Sequence, residues 1–231
     1  MTGFDLTAVY NSAMSLRRAA IGFRAHSGWA ALVAVAGSPK APEIIARKRI
    51  EIADPKLEGS KQPFHAVEPM ELADAERMIR DYSASTNRLA QEAIQGAIDG
   101  LRDRGYEVAV AGITLASGRA LPGLQQILAS HALIHTAEGE FFRQALIDAC
   151  EHCGLTVTGL KERELFECGA KCFRTSIAEL QPQINAIGKS IGPPWTLDQK
   201  HAALVGWIAL AGPRAVGDSR GTRATFQPRR R

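Results

Sequence analysis

Two histidines and a glutamate form the most suggestive chemical grouping in the chain. His131, His135 and Glu138 stand at i, i+4 and i+7, so a continuous helix would carry all three on one face. Two imidazoles and a carboxylate suit zinc or another transition ion better than magnesium, which prefers oxygen donors. Packed or solvent-facing histidines are common at this spacing without any ion, and that is the favoured reading here. Near the C-terminus Asp198 and His201 form a second pair one helical turn apart. Asp198, His201 and Glu138 are the candidate catalytic residues, and with His131 and His135 the candidate ligands of a divalent metal. His26 and His65 fall in connecting segments and have a weaker claim.

The four cysteines all lie between 150 and 172, as Cys150-x2-Cys153 and Cys168-x3-Cys172. Two close pairs are compatible with a structural zinc site. The segments between them read as regular structure, however, and free cysteines behave as small apolar residues, which is the favoured reading here. Disulfides come last, given a reducing compartment. No Gly-x-Gly-x-x-Gly, Gly-Lys-Ser/Thr or Gly-x-Ser-x-Gly motif occurs. Ser117-Gly118-Arg119 could offer backbone amides to an anion, although a plain turn is the favoured reading. Trp29, Trp195 and Trp207 read as core or docking residues rather than base-stacking platforms.

The elements that must position these groups begin with a meander. Apolar runs at 19–24, 29–36 and 44–52 are separated by breaks too brief for a crossover helix, so they read as three sequential antiparallel strands. The second is apolar on both faces, as a central, doubly covered strand is. The third sets Ile44, Ala46, Ile50 and Ile52 on one face and Ile45, Arg47, Arg49 and Glu51 on the other, the charged pattern of an edge. A Pro- and Gly-containing connection at 53–70 precedes a helix whose apolar residues recur at threes and fours from Leu72 to Leu101. A buried strand follows at 106–115. Helical spacing then begins near Pro122 and runs to Gly154, with a break expected at Gly139. A fifth strand is read at 155–160, and helices at 161–168, at 177–187 with Pro182, and from Leu197 to Ala211 behind a Thr196 cap.

About 45% of the residues are apolar, enough to fill one core at this length. No apolar run approaches the roughly 20 residues a membrane span needs. Residues 1–18 are read as a lead-in with some helical character; Asp5 comes early and two arginines late, the reverse of a secretory leader. A cytoplasmic protein without membrane contact is the expectation. The formal charge of +4 is concentrated: six arginines against Asp218 give 213–231 a net +5, leaving the rest at −1. Poor in large apolar residues, this tail reads as disordered. Arg220, Arg223, Arg229, Arg230 and Arg231 are candidate phosphate contacts to nucleic acid, weighed against a merely solubilising role.

The order strand, strand, strand, helix, strand, helix, strand, helices, together with Ile21-Gly22-Phe23-Arg24-Ala25-His26-Ser27-Gly28-Trp29 and Asp198-Gln199-Lys200-His201-Ala202-Ala203-Leu204, resembles the RuvC-like branch of the ribonuclease H-like superfamily. The resemblance covers roughly 19–211 and implies one α/β domain over 19–212, with a mixed five-stranded sheet and helices on both faces. It implies a central first strand, an edge third strand, and fourth and fifth strands parallel to the first. It also implies two-metal phosphodiester cleavage by carboxylates from the first strand, the end of the fourth and the last helix.

Here the sequence departs from the pattern. Phe23 and Arg24 stand where the first-strand Asp belongs, Leu115 and Ala116 end the fourth strand, and the last helix pairs Asp198 with His201 rather than a second acid. An arginine would repel a cation at the place where the family holds one. The expectation is therefore a non-catalytic ribonuclease H-like binding or assembly module, with a protein or nucleic-acid partner and no assured cofactor. The alternative is a metal-dependent nuclease or phosphodiesterase built on His131, His135, Glu138, Asp198 and His201.

Overall fold

The computed structural model describes residues 16–116 and 120–212. Five strands form one mixed sheet: β1 (Arg17–His26), β2 (Trp29–Ser38), β3 (Ala41–Glu51), β4 (Tyr106–Leu115) and β5 (Thr156–Lys161), in the order β3-β2-β1-β4-β5. The turn between β1 and β2 is two residues long, and Gly28 supplies its positive φ of 81°. Such a turn can only return the chain antiparallel. β1, β2 and β3 are accordingly antiparallel neighbours, whereas β4 lies parallel to β1 and β5 parallel to β4. β1 is central and β3 an edge, as read from the sequence. This is the ribonuclease H-like α/β arrangement.

Among the described residues seven α-helices accompany the sheet: α1 (Pro63–Val67), α2 (Leu72–Arg102), α3 (Leu124–Leu128), α4 (His131–His152), α5 (Leu165–Phe173), α6 (Ile177–Ile187) and α7 (Leu197–Ala211). Alternate strand residues divide the core into two layers. Ile21, Phe23, Leu32 and Ala34 pack with Ala90 and Ile94 of α2 and Phe142 and Leu146 of α4. Ala31, Val33 and Val35 face Leu165, Leu180, Leu204 and Ile208 of α5, α6 and α7. The 31 residues of α2 extend about 46 Å, whereas a ten-residue strand extends about 33 Å. Its first turns therefore overshoot the sheet and build a third cluster, Ala75, Ile79 and Tyr82 against Phe64, Ile127, Ile134 and Ala137.

α7 is buried on every side from His201 to Ala209, as an all-round apolar helix must be. It can lie this deep because Gly22 of β1 and Gly112 of β4 have no side chains. A Cβ on Gly22 would stand 1.9 Å from the carbonyl oxygen of Ala202, and one on Gly112 2.5 Å from that of Val205. A reciprocal capping box between Thr196 and Gln199 closes the first turn of α7. The stretch leading into it is tied to the sheet edge by Arg47. Its guanidinium donates to the carbonyls of Gly192 and Pro193 at 2.8 Å each, and to that of Pro194.

Several local expectations are corrected. The apolar stripe on β3 is split by a bulge: Val35 pairs with Ile44 and Ala34 with Ala46, leaving Ile45 extra. Ile44 consequently joins the α7 layer while Ile45, Ile50 and Ile52 join the α2 layer. α4 runs unbroken through Gly139, and the chain breaks instead at Ser130, ahead of His131. Gly123, not Pro122, occupies the N-cap of α3. Pro182 lies inside α6. The helix expected over 161–168 opens as a 3-10 turn, Glu162–Glu164, before α5. The connection at 53–70 contains α1.

Candidate functional site

Two groups of polar side chains stand out, one on each layer. The first gathers at the carboxyl end of β1. Arg24 shares the strand face of Gly22 and so points to the α7 side. Its Nε and Nη2 donate to Oε2 and Oε1 of Glu162 at 3.2 and 2.8 Å, a two-pronged pair. Its Nη1 donates to Oδ1 of Asp198. His26 Nε2 lies 3.0 Å from the same Oδ1, and its ring stacks on Trp29 with centroids 4.2 Å apart. His201, one turn beyond Asp198, brings Nδ1 to 3.4 Å from Glu162 Oε1, although that nitrogen makes no aligned hydrogen bond.

The electrostatics follow from the guanidinium between two acids. Burial alone would raise both carboxyls; the hydrogen bonds and charge of Arg24 outweigh it and hold Glu162 below the usual carboxylate range. Asp198 is held low against burial by Arg24 and His26 together. Desolvation depresses His201 despite the nearby Glu162. Two carboxylates do converge here, but an organic cation already sits between them. A magnesium ion needs carboxylate oxygens at about 2.0–2.1 Å in octahedral array, and these oxygens are directed at the Arg24 fork. Phe23 is fully buried in the other layer, and Leu115 and Ala116 supply no acid at the end of β4. The residues present do not fit a two-magnesium centre.

The second group lies beyond the sheet, on α1 and α4. Pro63 opens α1 and has no N–H, so the first free amides are those of Phe64 and His65. Oε1 of Glu138 accepts both, at 2.9 and 3.1 Å, and also lies 3.1 Å from His65 Nδ1. One carboxylate thus caps the helix and orients the ring. On the exposed face of α4 the Nε2 atoms of His131 and His135 are 3.0 Å apart. One ligand nitrogen from each of His65, His131 and His135 lies within 4.8 Å of the other two. No other His, Cys, Asp or Glu trio comes as close among the described residues. Glu138 is only 4% exposed, and burial raises its carboxyl although His65 and Phe64 hydrogen-bond to it.

The residues singled out in the sequence therefore separate. His131 and His135 come together, with Glu138 joining them through His65 rather than facing the pair directly. Asp198 and His201 join Arg24, Glu162 and His26 instead, on a helix packed against the opposite layer. Sequence reasoning missed Glu162, whose signal was its place at the end of β5, and undervalued His65 and His26. The cysteines are free thiols and do not meet as four: Cys150 and Cys153 pack into the α2 layer, Cys168 and Cys172 into the α7 layer. Burial pushes the Cys150 thiol up. Trp207 is buried, and Trp195 seats on Gly188 while donating to the Ile184 carbonyl at 2.8 Å. Residues 1–15, the Ser117-Gly118-Arg119 turn and the arginines of 213–231 lie outside the described residues. No helix among the described residues is long and apolar enough to cross a membrane.

No family model and no curated protein matches the chain. Among solved structures it is similar to T. thermophilus RuvC in complex with a Holliday junction substrate, at 9% identity and TM-score 0.47, over 84% of this chain and 93% of that one. A second Thermus thermophilus RuvC structure gives 10% identity and TM-score 0.47, over 83% and 93%. On its own strand order and directions, the chain has the ribonuclease H-like fold.

Proposed function

We propose that the protein is a ribonuclease H-like binding or assembly module that does not cleave phosphodiesters through paired metal ions. The observation carrying this reading is Arg24, whose guanidinium engages Glu162 and Asp198 at the tip of β1. A two-metal mechanism needs carboxylates that hold cations on both sides of a scissile phosphate. An internal arginine occupies the place between such carboxylates and ties them into a structural network. A composite centre of Asp198 and His201 with His131, His135 and Glu138 draws no support from side chains that pair in two separate groups.

Cleavage assays on single-stranded, duplex and branched DNA and RNA, with magnesium or manganese, test the reading. Background cleavage insensitive to metal is expected. Metal-stimulated turnover that disappears in Asp198→Asn would overturn it. As a partner for the module we propose nucleic acid, engaged through the arginines of 213–231. Truncation before Pro213 should then weaken binding and flatten its dependence on salt, whereas unchanged affinity would remove the tail as the contact.

A further inference from the structure

We propose that His65, His131 and His135 form a site for one divalent transition-metal ion of the zinc class, with Glu138 as the carboxylate that positions His65. The inference is independent of the sheet-tip network and goes beyond the binding-module reading. It rests first on geometry. Zinc–nitrogen bonds of about 2.0–2.1 Å in a tetrahedral array put ligand nitrogens about 3.3 Å apart. The Nε2 atoms of His131 and His135 are already 3.0 Å apart, and all three ligand nitrogens fall within 4.8 Å. The rings stand edge to face, with interplanar angles of 80°, 62° and 80°. Convergence on one point requires side-chain rotation of His131 and His135 on α4 towards His65 on α1.

Second, the outer shell is in place. Metal-bound histidines commonly give their other ring nitrogen to a carboxylate, which fixes the tautomer and the ring direction. Glu138 Oε1 lies 3.1 Å from His65 Nδ1, which leaves Nε2 as that ring's free donor. The second oxygen, Oε2, is buried without a hydrogen-bond partner, and among the described residues the only ion-pair partner of Glu138 is an imidazole. A dication held by His65 supplies the compensating charge that such a carboxylate otherwise lacks. Third, the donor set selects the ion: three neutral nitrogens favour zinc, cobalt, nickel or copper over magnesium or calcium. Three protein ligands also leave a fourth position for water or another small ligand. His65 in addition lines a cleft of about 540 Å³ with Gln62, Met70, Met78 and Tyr82.

The test uses the full chain, stripped with a chelator and titrated with cobalt(II). One equivalent should bind, with the visible absorption of a four- or five-coordinate nitrogen–oxygen site and no thiolate charge transfer, and zinc should displace it. His131→Ala and His135→Ala, both at exposed positions, should each lower affinity at least about a hundredfold while leaving metal-free melting unchanged. Glu138→Gln should keep the spectrum but weaken binding about 10–100-fold; if it loosens α1 as well, the two exposed variants decide alone. Cobalt uptake equal in wild type and the His131→Ala/His135→Ala double variant overturns the site. A thiolate charge-transfer band overturns it too, because it would place the ion on cysteine.

Discussion

The tip of β1 and the face of α4 solve the same electrostatic problem in opposite ways. At the tip, two carboxylates converge and the chain supplies the cation itself, as Arg24. On α4 and α1, three imidazoles converge with a buried carboxylate behind one of them, and no arginine or lysine pairs with that carboxylate among the described residues. The first arrangement is closed: one guanidinium bridges both carboxylates, and hydrogen bonds fill its fork. The second is open, because the 3.0 Å contact between the two Nε2 atoms is a single imidazole–imidazole hydrogen bond, whereas a shared ion would bond to both rings. Counting titratable residues would rank the tip as the richer site. Asking which cluster of donor atoms still has no cation between them reverses that ranking.

Variants can break or sharpen the contrast, and the largest effect is expected at the seat of α7. Gly22→Ala drives a methyl into backbone that cannot rotate away, at a cost of about 3 kcal/mol or more. Thermal melting should record a fall of about 6–12 °C; a melting point like that of wild type would mean that the tip is not locked by this close approach. Next comes Arg24→Ala, which leaves Glu162 and Asp198 facing each other without their cation. Discounted for their partial exposure, the loss is about 1–2 kcal/mol. The sharper readout is magnesium, which should raise the Tm of Arg24→Ala but not of wild type. An equal response in both proteins would erase the distinction between the two regions.

The pH dependence is a smaller effect. Glu162 and Asp198 are held low in the folded state, so the stability they contribute is complete above their unfolded values near pH 4 and is lost as pH falls through the lower folded ones. Acid melting curves of wild type should therefore drop more steeply below about pH 4 than those of Arg24→Ala. Parallel curves would mean that the network carries no net electrostatic stability. The smallest change belongs to Arg49→Ala. It removes a guanidinium 3.7 Å above the Trp29 ring, for about 0.5–1 kcal/mol, measurable by denaturant titration. Cobalt affinity on α4 should not move.

Much of this was legible in the chain because strand order depends on local signals. Breaks as short as Ser27-Gly28 force antiparallel return, and the Arg47-Arg49 pattern marked β3 as an edge. The bulge at Ile45 was not legible, since it changes which face a residue occupies without changing composition. The expected break at Gly139 failed because an interior glycine only weakens a helix. His131 and His135 could be paired from helical spacing alone. Their third member could not: His65 lies 66 positions before His131 and reaches it through the docking of α1, held by Glu138. Glu162 and Arg24 are separated by 138 positions, and only the crossover that sets β5 beside β4 brings them together. Convergence of this kind belongs to topology, which residue spacing does not encode.

The grip of Arg47 on consecutive carbonyls gives the outermost strand an unexpected reach. Two of those carbonyls belong to prolines, which have no amide hydrogen with which to anchor themselves elsewhere. The strap before Thr196 thus hangs from a margin strand that pairs, among the described residues, with β2 alone. Because the strap runs straight into the Thr196 cap, the seating of β3 also sets where α7 begins, and with it the place at which Asp198 meets Arg24.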